Sequence, residues 1–227
     1  MTHVIKISGH EVEQPRALHA LITLLIDHPG QIVLVHGGGS ILPRALARVG
    51  IDSAAVAETA AMALRGGINS QLVAALVERH IQAIGLSGVD LELMYLQRGD
   101  TVPVVRFEVL KYLLDQAWVP VLAPIALDMA TGRGQVLNAD ATAQIVASAL
   151  GADELTFIVN TPGVLSGGKR VTGISARQHE LYIKQGVIGA DYASVVRAAA
   201  GAAPSVGRVR ITDLGGLQAG GGTMVVV

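Results

Sequence analysis

Short apolar runs alternate along the chain with longer segments in which apolar residues recur every three to four positions. The runs have the length of buried strands, and the longer segments have the period of amphipathic helices. Strands that alternate with helices indicate a mostly parallel sheet covered on both faces. The predicted strands are residues 4–7, 32–35, 83–86, 119–125, 155–159, 208–211 and 224–227.

The helical period fills the segments between these strands, and Gly66 and Gly67 separate two of the predicted helices. Residues 93–105 instead have the pattern of a β-hairpin. We therefore expect an α/β fold, a three-layer αβα sandwich with a mostly parallel central sheet. It forms a single domain of residues 1–227, with an N-terminal lobe to about residue 148 and a C-terminal lobe from about residue 149. The predicted helices are residues 16–27, 41–49, 54–64, 70–80, 107–116, 140–150, 174–184 and 191–202.

The second predicted strand runs through His36 into Gly37, Gly38 and Gly39, which we call the glycine loop. Because glycine has no Cβ, the amides of such a turn can approach an anion closely. Other predicted strands also end at glycine, and ligands of parallel sheets lie beyond the carboxyl ends of the strands. We therefore expect a phosphate or carboxylate site at this edge of the sheet. The alternative is a tight turn that binds nothing.

Two charged residues accompany this edge. Lys6 lies inside an apolar strand, where a lysine is costly unless it meets an anion. It could reach a transferring phosphoryl group, or it could extend to solvent at the sheet edge. Asp140 follows Asn138 at the start of a helix and could cap that helix or orient a lysine near the phosphates. His36 is interpreted as a structural histidine, and the seven histidines have no metal-ligand spacing.

Composition narrows the possible functions. The chain has no cysteine, a net charge of −1 and 3% aromatic residues, which argues against disulfides, thiolate metal sites and nucleic-acid binding. No apolar run approaches the roughly 18 uncharged residues of a membrane helix. The first residues enter a strand at once and leave no room for a signal peptide. We therefore expect a cytoplasmic protein that binds neither nucleic acid nor membrane.

A set of short motifs recurs in one order along the whole chain. As a set they resemble the amino acid kinase family, in particular its kinases of N-acetylglutamate and of carrier-protein-linked aminoadipate. The resemblance implies an open αβα fold whose N-terminal lobe binds an acyl amino acid and forms a homodimer, and whose C-terminal lobe holds ATP. The motifs lie at residues 4–9, 33–39, 83–90, 119–124, 138–140, 160–165 and 220–223.

The resemblance also implies a reaction, the ATP-dependent phosphorylation of the side-chain carboxylate of an N-blocked acidic amino acid. The product would be an acyl phosphate in arginine or lysine biosynthesis. By position, Lys6 would stabilise the γ-phosphoryl group and Asp140 would organise the catalytic lysine. Mg²⁺ would be bound through the ATP phosphates rather than by protein ligands. A carrier protein would be a further partner if the substrate is of the aminoadipate type.

Backbone and loop residues complete the implied site. The phosphate would be bound at Gly9, Gly37, Gly38 and Gly39. Gly38 and Gly39 would also contact the small-molecule substrate, together with Asn138. The nucleotide pocket would be lined by Asn160, Thr161, Pro162, Gly163, Val164 and Leu165.

The chain departs from the family pattern at the phosphoryl and substrate ends. Val195 stands where the family has a second catalytic lysine, and Arg197, two residues on, would point to the opposite face of the helix. Residues 50–55 contain no arginine, although the family has one there for the substrate carboxylate, and Val136 replaces an asparagine. These departures leave an alternative function: a family member with little or no catalysis that binds nucleotide or amino acid as a regulatory or partner subunit.

Overall fold

The computed structural model of the protein describes residues 1–47 and 53–227. In this part of the chain the strands are β1 (Thr2–Ile7), β2 (Gln31–His36), β3 (Ala83–Ser87), β4 (Met94–Leu96), β5 (Val104–Val105), β6 (Val119–Ala123), β7 (Ile125–Asp128), β8 (Arg133–Val136), β9 (Glu154–Ile158), β10 (Leu165–Ser166), β11 (Lys169–Arg170), β12 (Gly173–Ser175), β13 (Arg208–Thr212) and β14 (Thr223–Val226). The helices are α1 (Gly9–Val12), α2 (Pro15–Ile26), α3 (Ile41–Leu46), α4 (Ser53–Met62), α5 (Ser70–Glu78), α6 (Phe107–Asp115), α7 (Ala139–Leu150), α8 (His179–Lys184), α9 (Ala193–Ala202) and α10 (Leu214–Gln218).

The main sheet has eight strands in the order β12-β14-β13-β9-β1-β2-β6-β3. Neighbouring strands are parallel except for the β13–β14 pair, which is antiparallel. A second sheet has the order β5-β4-β7-β8, and its β4–β5 pair is the hairpin predicted over residues 93–105. The prediction of a three-layer α/β sandwich with a mostly parallel sheet is confirmed.

The alternation of side chains along β1 shows how the layers form. Val4 packs into a core cluster with residues of α7 and α9, such as Val146. Ile5 and Ile7 pack on the opposite face, against α2 and α5. Successive side chains of a strand point to opposite faces, so the sheet separates two hydrophobic cores. Lys6 belongs to the face of Val4 and therefore points toward α7.

The predicted break at Gly66 and Gly67 is wrong, because a π-helical segment (Ala63–Asn69) joins α4 to α5. Leu64 and Ile68 of this segment are buried against the sheet, so packing sustains the helix despite its glycines. The continuous helix Ala55–Glu78 contains an 18-residue window with a mean hydropathy of 1.2 and could cross a membrane by length and composition alone. The core helix of a globular protein satisfies the same criteria, and the sheet-facing residues of this helix are buried in the core.

Two further predictions are corrected. Residues 174–184 are not one helix, since Ile174 pairs in parallel with Val225 and only α8 is helical. A short apolar run fits either a strand or a helix, and here residues 173–175 pair with β14 as the edge strand of the main sheet. The predicted strand 119–125 is divided at Pro124 into β6 and β7, which belong to different sheets.

Candidate active site

The carboxyl ends of β9, β1 and β2 lie side by side at one edge of the main sheet, because β1 pairs in parallel with both neighbours. The turn at Gly9 follows β1, the glycine loop follows β2, and residues 160–165 follow β9. The sheet therefore brings three motifs that are distant in sequence to one edge. This edge is where parallel α/β sheets bind their ligands.

The glycine loop and the turn at Gly9 touch through their backbones. A Cβ on Gly9 would lie 2.2 Å from the amide nitrogen of Gly39, and Gly39 has a φ of +51°. The amide of Gly37 donates to the carbonyl of Ile7 at 2.9 Å and so extends the sheet. Among the described residues, the amides of Gly38 and Gly39 donate no hydrogen bond. Of the three loop glycines, these two therefore retain donors for an anion.

Glu13, which sequence reasoning missed, holds the start of α3 beside the glycine loop. Its Oε1 accepts hydrogen bonds from the amides of Ser40 (2.7 Å) and Ile41 (3.1 Å), and its Oε2 accepts one from Ser40 Oγ (2.5 Å). Desolvation raises the pKa of Glu13, but these hydrogen bonds outweigh it and hold the pKa below its usual value. Because Glu13 occupies the amides of Ser40 and Ile41, an anionic ligand would use those of Gly38 and Gly39.

Lys6 and Asp140 form an ion pair at the same edge, with Nζ 2.7 Å from Oδ1. Only 11% of the Lys6 side chain and 13% of the Asp140 side chain are exposed. Lys6 reaches Asp140 because its face of β1 is the one that α7 covers. The cap of α7 is Asn138, whose Oδ1 accepts from the amide of Ala141 at 3.0 Å. Asp140 is therefore not the helix cap, and its carboxylate pairs with the lysine instead.

The other carboxylate oxygen of Asp140 is held from α9. Ser194 Oγ donates to Asp140 Oδ2 at 2.8 Å, and Asn138 Nδ2 donates to Ser194 Oγ at 3.3 Å. Val195, at the position of the family lysine, is 5% exposed and packs in the core. Arg197 is exposed and forms an ion pair at 2.5 Å with a glutamate of α8. The side chain of α9 that contacts Asp140 is thus the hydroxyl of Ser194, while Val195 points into the core.

The predicted nucleotide loop, residues 160–165, is linked to α9 through Tyr192. Tyr192 OH lies 3.0 Å from Thr161 Oγ1, which donates to the carbonyl of Gly163 at 2.8 Å. Gly163 has a φ of +142°, and a Cβ there would lie 2.6 Å from Thr223 Oγ1. Like Glu13, Tyr192 is a contact that no local pattern in the sequence indicated, since it is 31 residues from Thr161.

Exposure differs among the residues of this loop. Asn160 and Pro162 are exposed, Thr161 and Leu165 are half-buried, and the side chain of Val164 is fully buried in the core. The Val164 side chain therefore cannot line a nucleotide pocket without leaving the core. Contacts from this position would come from the backbone.

His36 lies buried beneath the glycine loop. Its Nδ1 is 3.1 Å from the carbonyl oxygen of Gly37, and its Nε2 is 3.2 Å from Nδ2 of Asn69 in the π-helical segment. Asn69 Nδ2 also donates to the carbonyl of Val121 at 2.8 Å. Burial lowers the pKa of His36 to about 4, so the ring is neutral at neutral pH. These contacts agree with the interpretation of His36 as a structural histidine.

The region expected to bind the acyl amino acid is described in part. Residues 48–52, which include part of the loop where the family arginine is missing, lie outside the described residues. Arg65, in the π-helical segment, lines a cavity of about 470 Å³ and forms an ion pair with Asp90 at 3.1 Å. Val136 ends β8 and packs against the hydrophobic core. The described residues thus leave one cation, Arg65, beside this cavity.

Comparison with known proteins agrees with the fold and the site. The model of the amino acid kinase family matches residues 1–213. The acetylglutamate kinase of Chloroflexus aurantiacus is 38% identical over 239 aligned positions, which cover 96% of this chain and 94% of that protein. The acetylglutamate kinase of Geobacillus kaustophilus is 32% identical and covers 87% of this chain and 84% of its own length.

Solved structures of other proteins share the fold of this chain. The crystal structure of smu.665 from Streptococcus mutans UA159 is 26% identical, with a TM-score of 0.85, and covers 99% of this chain and 98% of its own. Carbamate kinase from Giardia lamblia bound to AMP-PNP is 17% identical and shares the fold, with a TM-score of 0.72 over 99% of this chain and 98% of its own. The chain belongs to the amino acid kinase family.

Proposed function

We propose that the protein phosphorylates the side-chain carboxylate of N-acetylglutamate with ATP, the activity for which its acetylglutamate kinase relatives are named. The observation that carries this proposal is the buried Lys6–Asp140 pair at the edge where the amides of Gly38 and Gly39 have no hydrogen-bond partner among the described residues. A fixed cation and unpaired amide donors are the groups that stabilise the charge of a transferring phosphoryl group.

The proposed step is a displacement at phosphorus. A carboxylate oxygen of the substrate forms a bond to the γ-phosphorus, and the bond from that phosphorus to the oxygen bridging to the β-phosphate breaks. ADP leaves with the bonding pair, and the product is an acyl phosphate. No proton is transferred, so positioning and charge stabilisation are the main tasks of the protein.

Each group has a part in this step. Lys6 would neutralise charge on the transferred group, the amides of Gly38 and Gly39 would bind its oxygens, and Asp140 would orient Lys6. Residues 160–165 would line the nucleotide site. Mg²⁺, bound through the phosphates of ATP, would neutralise their charge. Both carboxylate oxygens of Asp140 are engaged by protein side chains, Lys6 on one and Ser194 on the other.

The remaining expectations belong to the same proposal. Residues to about 148 would bind the acyl amino acid and form a homodimer, and residues from about 149 would bind the nucleotide. The enzyme would act in the cytoplasm, in arginine biosynthesis. The support for these statements is the family resemblance and the position of residues 160–165 beyond β9.

Trapping of the acyl phosphate tests the proposal. With Mg-ATP, N-acetylglutamate and hydroxylamine, the purified protein should form hydroxamate and ADP in equal amounts, whereas free glutamate should give neither. N-acetylaminoadipate serves as the comparison for the aminoadipate type of substrate. Nucleotide binding by calorimetry without hydroxamate from any acyl amino acid would contradict the proposal and support the regulatory alternative.

A further inference from the structure

The carboxylate of Asp140 is held at both of its oxygens, by Lys6 on one and by Ser194 on the other. We propose that Ser194 is a positioning residue for phosphoryl transfer, whose hydroxyl fixes Asp140 and thereby keeps Lys6 aligned with the transferred group. This inference rests on the proposed function, because it assigns a residue to that reaction. Sequence motifs did not indicate Ser194, which is 54 residues from Asp140.

The direction of the hydrogen bonds follows from the cap of α7. Asn138 Oδ1 accepts from the amide of Ala141, so the side-chain nitrogen of Asn138 faces Ser194. That nitrogen can only donate, and Ser194 Oγ therefore accepts from it. The single proton of the hydroxyl remains for Asp140 Oδ2, at 2.8 Å. The order of donation is thus Asn138 to Ser194 to Asp140.

This arrangement limits the motion of the carboxylate. A carboxylate held at one oxygen can turn about its Cβ–Cγ bond, whereas one held at both has a single orientation. The position of Lys6 depends on that orientation, since a largely buried ammonium group stays near its counter-charge. Catalytic groups work when their neighbours hold them to within about 0.5 Å. Ser194 supplies the second point of attachment.

The contribution of Ser194 is polar and not one of packing. Its side chain is exposed and lines a cavity of about 520 Å³ between α7 and α9, together with Arg197. The next two residues, Val195 and Val196, are the ones that fill the core. Removing the hydroxyl would therefore leave the contact between the two helices intact.

The net charge of the group formed by Lys6, Asp140 and Ser194 depends on the presence of a serine at position 194. A serine donates a hydrogen bond without adding charge, and Lys6 is the cation that pairs with Asp140 in the described part of the chain. The cluster is accordingly neutral, and the alignment of its one ammonium group becomes the property on which the rate depends. Loss of alignment is expected to lower kcat and to leave substrate affinity unchanged.

The first test compares Ser194 of α9 with Ser205, which follows α9, since both are hydrogen-bonded to side chains of α7. Ser194→Ala should lower kcat about tenfold with unchanged KM for ATP and N-acetylglutamate, since a hydrogen bond to a charged group is lost. Ser194→Thr, which keeps the hydroxyl, should restore most of the rate. The control is Ser205→Ala, which removes a 2.8 Å bond to Ser148 at the other end of these helices. Equal kcat values for the two alanine variants would overturn the inference.

A second measurement does not require activity. The unfolding free energies of Ser194→Ala, Asp140→Ala and the double variant form a cycle that isolates their interaction. Non-additive values, with additive ones for Ser205→Ala and Asp140→Ala, support the contact. Additive values in both cycles would overturn it. An inactive wild-type protein would contradict the proposed function, and this cycle would still decide whether Ser194 holds Asp140.

Discussion

Gly9 and Gly39 are in backbone contact where two loops cross, and a Cβ on Gly9 would lie 2.2 Å from the amide nitrogen of Gly39. The nearest atoms belong to the main chain, which has no flexible side-chain end that could move away. Gly9→Ala should therefore displace the glycine loop and lower the free energy of unfolding by about 3 kcal/mol. Chemical denaturation measures this loss.

The control for this prediction is Gly66→Ala. A Cβ on Gly66 would meet no atom within 4 Å, and the residue lies in a helical segment. Because alanine is the better helix former, this variant should change stability by less than about 1 kcal/mol, in the stabilising direction. Similar losses in both variants would show that the loop crossing does not limit the size of residue 9.

Lys6→Ala should lower kcat about 10²- to 10³-fold, because it removes the cation that we propose stabilises the transferred group. It also leaves the largely buried carboxylate of Asp140 without its counter-charge, so stability should fall as well. Lys111→Ala, at an exposed position of α6, is the matched control and should leave kcat unchanged. An unaltered rate for Lys6→Ala would mean that Lys6 is structural.

The position of an added lysine on α9 should matter. Ser194→Lys places an ammonium group on the face of α9 that meets Asp140, beside a cavity with room for it. We expect its kcat to exceed that of Ser194→Ala about tenfold, in steady-state assays. Val195→Lys, although it matches the family position, puts a charge into the core and should cost about 3 kcal/mol or more of stability. A stable, faster Val195→Lys variant would contradict the described orientation of α9.

Acid should destabilise the protein through two buried histidines. Burial lowers the pKa of His3 to about 3 and that of His36 to about 4, from 6.5 in the unfolded chain. Between pH 6.5 and 4 the unfolded chain therefore binds more protons, and the free energy of unfolding falls as the pH falls. Each histidine contributes up to about 1.4 kcal/mol per pH unit.

Urea unfolding at a series of pH values measures this slope. Between pH 6.5 and 4, His36→Asn should lower the slope of unfolding free energy against pH by the contribution of about one proton. This change is independent of the effect of the variant on stability at pH 7. His10→Asn, at an exposed position, is the control and should leave the slope as it is. A slope that is the same in the wild type and in His36→Asn would show that His36 is not held neutral by burial.

Much of the fold was predictable because the apolar periods are strong and β1 alternates clearly between two cores. Lys6 and Asp140 could be singled out because each sits at a strand or helix position with a chemical consequence. Ser194, Glu13 and Tyr192 could not, since their partners are 27 to 54 residues away and depend on how loops and helices cross. The π-helical segment was not predicted because Gly66 and Gly67, like many paired glycines, suggested the end of a helix.

The π-helical segment also determines where the side chain of Asn69 lies. Asn69, at its end, inserts its side chain between Gly85, where a Cβ would lie 2.1 Å from the amide oxygen, and His36. The extra residue in the π turn sets the rotation of the helix, and deletion of one residue would turn Asn69 by about 100° away from the sheet. The rotation of this helix is thereby coupled to the position of His36, which lies beneath the glycine loop. A change in the rotation of this helix would reach the glycine loop, more than thirty residues upstream, through the side chain of Asn69.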